Sequence, residues 1–292
     1  MKRSRFLRGS LALCAWPALA RAQTPIDALL RPAIASIPGR VGVYAHTMAF
    51  GAPLAAYNAG ESFPSASTIK LLIMLTAFKE AERDPSVMRQ SIRFSASDLI
   101  GGSEFMANAA PGTRFTVAQL IPPMIQLSDN TASNLLISFF GFAAIDEAAR
   151  RAGLYNTTLK RHFLDTAAQL RHMDNRTTPA DMGHFLFELE RGVREEIPTI
   201  ASPRSCRRMI DIMLGQTDRD TIPRGVPPRV PVANKTGELS RSRSDVAIVD
   251  PFGDSPYVLA VYTSGLDAPA QAYDGIAQIS RIVYARVAGT NL

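Results

Sequence analysis

Ser67 and Lys70 lie three residues apart in the run Phe63-Pro64-Ser65-Ala66-Ser67-Thr68-Ile69-Lys70. At a helix start a serine hydroxyl sits near unpaired backbone N–H groups and the positive end of the helix dipole. One turn on, a lysine on the same face reaches that oxygen. If partly stripped of water, the lysine releases its proton more easily and acts as a base toward the hydroxyl, which becomes a nucleophile. An N-cap serine followed by a surface lysine would carry the same letters. Two other short runs offer matching chemistry. In Ser128-Asp129-Asn130 the serine can relay a proton and the Asn130 amide can hold a carbonyl, although a turn with an N-cap at Asp129 or Asn130 reads equally well. In Lys235-Thr236-Gly237 the lysine and threonine suit a carboxylate, and the backbone N–H near Glu238 suits an oxyanion. Gly237 would admit a ligand close to the strand, or the run is an exposed strand edge.

Positioning these runs requires a helix start, an inter-helix loop and a strand end, and the apolar periodicity supplies each. Residues 41–49 and 54–58 read as a hairpin turning at Gly51-Ala52-Pro53. Helical spacing runs from 67 to 83, with further helices predicted at 117–127, 131–140, 143–152, 179–191 and 203–215. Strand-like runs follow at 230–236, 245–249 and 257–263, and an amphipathic helix at 269–287 closes the chain. Strands at both ends and helices between them imply an α/β (α+β) fold. One antiparallel sheet is covered by the terminal helix, and an all-α region is inserted between the two sets of strands. The expected boundaries are an α/β domain of 23–64 with 204–292 and an all-α domain of 65–203, with the active cleft between them.

The joint order S-x-x-K, S-D-N, K-T-G resembles the penicillin-recognising serine enzymes, class A β-lactamases in particular. The stretches 63–70 and 128–136 carry the resemblance most strongly. It implies the β-lactamase/transpeptidase-like fold and a β-lactam substrate. Ser67 would attack the β-lactam carbonyl with Lys70 as base, and Ser128 would pass the proton to the departing nitrogen. Asn130 would hold a substrate carbonyl. The oxyanion would rest on the N–H groups of Ser67 and Glu238, beside Gly237. Lys235 and Thr236, with Arg243 or Arg241, would hold the substrate carboxylate.

Class A enzymes also carry a glutamate, in an E-x-x-L-N motif before a Thr-Thr-Pro segment, that activates the deacylating water. Thr177-Thr178-Pro179 is present, but Lys160-Arg161-His162-Phe163-Leu164-Asp165-Thr166-Ala167-Ala168-Gln169 contains no glutamate. Counting back from Pro179 puts His162 in the glutamate's place, and Asp165 is the only carboxylate in that stretch. Either can serve as a base, by the ordinary pKa of histidine or by burial of the carboxyl. Asp165 can equally anchor the loop and His162 can be a packed residue. Hydrolysis is the leading expectation. The alternatives are a protein that stays acylated, a D-Ala-D-Ala peptidase, or an esterase.

The remaining features narrow the surroundings. The 292 residues, 46% hydrophobic and 20% charged, are those of a globular chain with ample core. Residues 1–22 carry five basic and no acidic side chains ahead of an apolar run ending near Ala20-Arg21-Ala22, which reads as a secretory signal peptide. Cleavage near Ala22 removes five of the 32 basic residues, leaving 27 against 26 acidic ones. The formal charge of +6 then falls to +1, so no nucleic-acid partner is expected. No later apolar run is long enough for a membrane anchor. Cys14 and Trp16 leave with the leader, so Cys206 is left without a disulfide partner, in an amphipathic helix. The spacing of His46, His162, His172 and His184 fits no metal motif, so neither metal nor cofactor is expected. Phe139, Phe140, Phe185 and Phe187 read as core. The resemblance implies a monomer, periplasmic or secreted.

Overall fold

A computed structural model describes residues 25–49 and 51–290; the leader read at 1–22 lies outside them. Nine strands and nine α-helices occur among the described residues. The strands are β1 (Arg40–Thr47), β2 (Ala55–Tyr57), β3 (Phe63–Pro64), β4 (Ser91–Arg93), β5 (Arg114–Thr116), β6 (Arg176–Thr177), β7 (Val232–Leu239), β8 (Ser242–Val249) and β9 (Tyr257–Ser264). The helices are α1 (Ile26–Ala35), α2 (Lys70–Arg83), α3 (Val117–Gln126), α4 (Asn130–Phe140), α5 (Phe142–Arg151), α6 (Thr166–Leu170), α7 (Pro179–Arg194), α8 (Pro203–Leu214) and α9 (Tyr273–Ala288).

The fold is mixed α/β around one antiparallel sheet ordered β2-β1-β9-β8-β7. β1 pairs residue for residue with β9, from Arg40 opposite Ser264 to Thr47 opposite Tyr257, so the two ends of the sequence share the middle of the sheet. Strands β8 and β9 are buried along almost their whole length. Ordinary antiparallel strands alternate apolar and polar because one face meets water. Here both faces are covered. Ala233, Val246, Ile248, Val258, Ala260 and Tyr262 face a core shared with α2, α7 and α8. Val232, Ala247, Val249, Leu259 and Val261 face α1 and α9.

The helix α1 has no counterpart in the sequence-based elements. Pro32 lies inside it, but Ile26, Leu30, Ala33 and Ile34 form a buried stripe at helical steps. Helix α2 is buried through Leu71, Leu72, Ile73, Met74 and Leu75, so it is buried on every side in its first two turns. It ends before Asp84-Pro85, where proline cannot continue a helix and Asp84 accepts the Ser86 N–H at 2.9 Å. Phe185 is fully buried as expected of a core aromatic, whereas Phe139 is exposed at the end of α4, against the expectation.

Three local features carry the fold toward the site. The helix predicted from residue 67 opens as a 3-10 turn, Ala66–Ile69, and becomes α-helical only at Lys70. Strand β3 pairs with β6, Phe63 opposite Thr177, which ties the approach to Ser67 to the end of the 160–176 loop. Ser128 lies between α3 and α4 with φ +58°, a left-handed conformation that costs a non-glycine residue energy and recurs at functional sites.

Candidate active site

Ser67 sits in the 3-10 turn with Lys70 at its end, and the Lys70 N–H bonds the Ser67 carbonyl. Side chains three apart eclipse in 3-10 geometry, although the hydrogen bonds of the Lys70 amine run to Ser128 and Asn130 and not to the Ser67 hydroxyl. The Lys70 side chain is fully buried. Its Nζ donates to the Ser128 carbonyl at 2.5 Å, to Asn130 Oδ1 at 2.8 Å and to Ser128 Oγ at 3.2 Å. Lys235 approaches the same hydroxyl from the sheet: its Nζ lies 3.1 Å from Ser128 Oγ and 2.9 Å from the Thr236 carbonyl. One hydroxyl therefore bridges two buried amines. Ammonium charges so placed repel, and burial disfavours both. Burial first, then the charge of Lys235, holds Lys70 well below the usual lysine range, with Asp129 opposing. Burial pushes Lys235 down to about 7 against the pull of Asp245 and Asp218.

The helical side of this arrangement is fastened by α4. Asp129 caps the helix, Oδ1 accepting the Ala132 N–H at 2.8 Å and Oδ2 the Met106 N–H at 3.0 Å. The Asn130 amide donates to the Gly101 carbonyl at 2.9 Å, so one of its two N–H groups is left for a ligand. Gly102, with φ +67°, leaves room for that amide: a Cβ there would lie 2.7 Å from Asn130 Nδ2.

The sheet side depends on Gly237. A Cβ at this position would stand 3.0 Å from the Ala66 Cβ and 3.2 Å from the Ser67 nitrogen, so glycine lets β7 lie tightly against the 3-10 turn, and a larger side chain would need the turn or the strand to give way. This contact brings the N–H of Ser67 near that of Glu238, the two donors expected to receive an oxyanion. Ser67, Asn130 and Glu238 border one cavity of about 210 Å³, together with Pro64, Phe163 and Leu239.

The loop between α5 and α7 differs from the sequence-based expectation. Asp165 does not border the cavity. It caps the short helix α6, with Oδ1 accepting the Ala168 N–H at 2.9 Å. His162 does not border it either. Its Nε2 lies 3.1 Å from Ser138 Oγ, its ring packs edge-on against Phe142, and burial lowers its pKa against the pull of Asp165. Phe163 enters instead: its ring centroid lies 4.4 Å from Lys70 Nζ. Asn134 holds that position by accepting the Phe163 N–H at 2.8 Å and donating to its carbonyl at 3.1 Å. Arg161 anchors the loop, with its N–H on Asn175 Oδ1 and its guanidinium toward Asp174. Sequence reasoning passed over Phe163 because it weighed only the titratable neighbours on either side.

Arg243, expected to take a substrate carboxylate, is buried and already engaged. It pairs with both oxygens of Asp218 at 2.7 and 2.8 Å and with Glu238 Oε2 at 2.9 Å. Its guanidinium stacks on Tyr273. Neither Asp218 nor Tyr273 carries a local signal that would place it here. Cys206 is buried with its thiol pKa raised by burial, and it lies outside this cavity.

Residues 22–287 match the profile of the beta-lactamase enzyme family. A beta-lactamase of Streptomyces fradiae is 28% identical over 258 residues, covering 85% of this chain and 81% of that protein. Among solved structures, a beta-lactamase from Desulfarculus baarsii superposes with a TM-score of 0.81 at 28% identity, covering 91% of this chain and 98% of that one. A mutant of PBP-A, in an acyl-enzyme complex with penicillin G, superposes with a TM-score of 0.79 at 25% identity, covering 90% and 96%.

Gly237→Val should force β7 away from the 3-10 turn and lower the second-order rate of Ser67 acylation about 100-fold, as loss of an oxyanion donor does, with thermal stability little changed. Stopped-flow acylation beside a melting curve checks this. Lys235 is a cation below about pH 7 and neutral above it. Acylation by an anionic substrate should therefore fall as pH rises past about 7, and a pH–rate profile of Lys235→Gln should lack that limb.

Proposed function

The chain belongs to the beta-lactamase enzyme family, and on that premise we propose that it is a serine hydrolase opening β-lactams through an acyl-enzyme on Ser67. The observation that carries this reading is the hydrogen-bonded chain Lys70–Ser128–Lys235 beside Ser67. Neutral Lys70 takes the Ser67 proton as Oγ bonds to the lactam carbonyl carbon. The oxyanion is received by the Ser67 and Glu238 N–H groups. The carbonyl–nitrogen bond then breaks, and the proton passes from Lys70 through Ser128 Oγ to the leaving nitrogen. Lys235 and Thr236 receive the substrate's carboxylate, and the free Asn130 N–H its side-chain amide. No cofactor enters these steps. The basic, apolar leader supports export, and the protein then works as a periplasmic or secreted monomer.

A second reading, in which the acyl group is released slowly, is favoured by Phe163. Hydrolysis of an acyl-enzyme needs a base for water. Of the carboxylates bordering the cavity, Asp174 lies against Arg161 and Glu238 against Arg243, while a phenyl ring lies over Lys70. The base left for water is Lys70 itself, partly covered by that ring. Acylation is thus better equipped than release.

An intact-mass time course with a penicillin should show an adduct on the protein and none on Ser67→Ala, and product should accumulate as the adduct decays. A Ser67→Ala protein that still forms the adduct would overturn the assignment. Phe163→Glu places a carboxylate beside Lys70, and in the same time course the adduct should decay about 100-fold faster, the lower end of what a positioned general base contributes.

A further inference from the structure

The carboxylate end of the cleft holds no surplus of positive charge. Lys235 and Arg243 face three acidic side chains: Asp218, Glu238 and Asp245. Asp218 closes one side of the Arg243 guanidinium with both oxygens, and Glu238 takes another N–H group at 2.9 Å. Glu238 Oε2 also accepts the Tyr273 hydroxyl at 2.9 Å, and the Tyr273 ring lies under the guanidinium. Exposure separates the members. Arg243, 3% exposed, and Lys235, fully buried, do not border the cavity, while the Glu238 side chain is 47% exposed and does. An arriving anion therefore meets the Glu238 carboxylate before it meets the arginine. That carboxylate stays close to the N–H that receives the oxyanion, because both belong to one residue.

We propose that Glu238 is a specificity-determining residue. Its carboxylate occupies the Arg243–Tyr273 site that a substrate's carboxylate would otherwise use, and it disfavours acyl donors with a negative charge beside the scissile amide relative to neutral ones. The inference rests on the β-lactam reading above for its substrate. The discrimination is repulsive: an anionic substrate must either displace Glu238 from Arg243 and Tyr273 or bind next to it on Lys235 alone. Neutral donors meet neither obstacle. Asp218 and the Tyr273 ring hold the guanidinium in place whether or not Glu238 is charged, so removing the Glu238 charge lifts the repulsion, and removing the side chain also vacates the anion site.

The test is equilibrium binding in the Ser67→Ala background, where no covalent bond forms, by calorimetry with a penicillin and with its uncharged methyl ester. Glu238→Ala and Glu238→Gln should each tighten binding of the acid about tenfold and change that of the ester less than about twofold, the size expected for removing one close like charge. Glutamine keeps the shape and the Tyr273 contact, so a shift shared by both variants is one of charge. Equal shifts for acid and ester, weaker binding of the acid, or no binding of the acid in either variant would overturn the proposal. With Ser67 restored, a penicillin that fails to acylate would instead overturn the reading of function, and the acid-to-ester ratio would still stand.

Discussion

The site turns on one hydroxyl held between two buried amines. Ser128 Oγ lies 3.2 Å from Lys70 Nζ and 3.1 Å from Lys235 Nζ, with both lysines removed from water. Two full positive charges cannot be kept that close in a poorly solvated interior without large cost, so the pair sheds proton affinity. That loss of affinity, with Lys70 held well below the usual lysine range, makes it a readier proton acceptor than an exposed lysine. Burial, not its partner amine, leaves Lys235 poised between cation and amine at about 7. The hydroxyl serves both amines from a residue in the left-handed backbone region.

The rest of the structure can be understood as what holds that contact. Lys70 belongs to a helix buried on every side in its first two turns, Ser128 to the loop fastened by the Asp129 cap, and Lys235 to an edge strand of the sheet. Three elements from distant parts of the chain must agree to within a fraction of an ångström. The sheet brings β7 to the 3-10 turn through Gly237, and Asp245 fixes β7 from behind, accepting Asn234 Nδ2 at 3.1 Å and the Thr221 hydroxyl at 2.7 Å. Burial pushes the Asp245 carboxyl up to about 6, so this brace is a carboxylate at neutral pH and gives up its charge in mild acid. The 160–176 loop is braced separately, by Arg161, Asn175 and Asn134, which seat an apolar ring against Lys70. The chemistry of the first step is therefore built from the rigid core, and the fate of its product is left to a loop.

The three polar runs, their order and the elements that carry them were legible in the sequence because each depends on local rules. Helical spacing marked α2, the Asp129 cap marked the start of α4, and the apolar run before Lys235 marked β7. The apolar runs at 245–249 and 257–263 marked strands β8 and β9, while the polar start of β8, Ser242-Arg243-Ser244, gave no such signal and is buried only because both faces of the sheet are covered. Helix α1 was missed where Pro32 interrupts an otherwise regular stripe. The 3-10 opening of α2 was missed because three- and four-residue steps look alike over one turn.

Which loop side chain faces Lys70 was not legible. Asp165, His162 and Phe163 are near neighbours, and their order along the chain says nothing of which one turns inward. Asn134, 29 residues away, decides it by holding the Phe163 backbone from both sides. The fate of Arg243 was likewise set by Asp218 and Tyr273, which come from the segments before β7 and after β9. By itself the sequence determined the family and the three polar runs that the fold brings to one site, since these follow from residue type and short spacing. Only the tertiary structure decided what surrounds them, because a charge or a ring is brought to a site by the packing of segments that share no local signal.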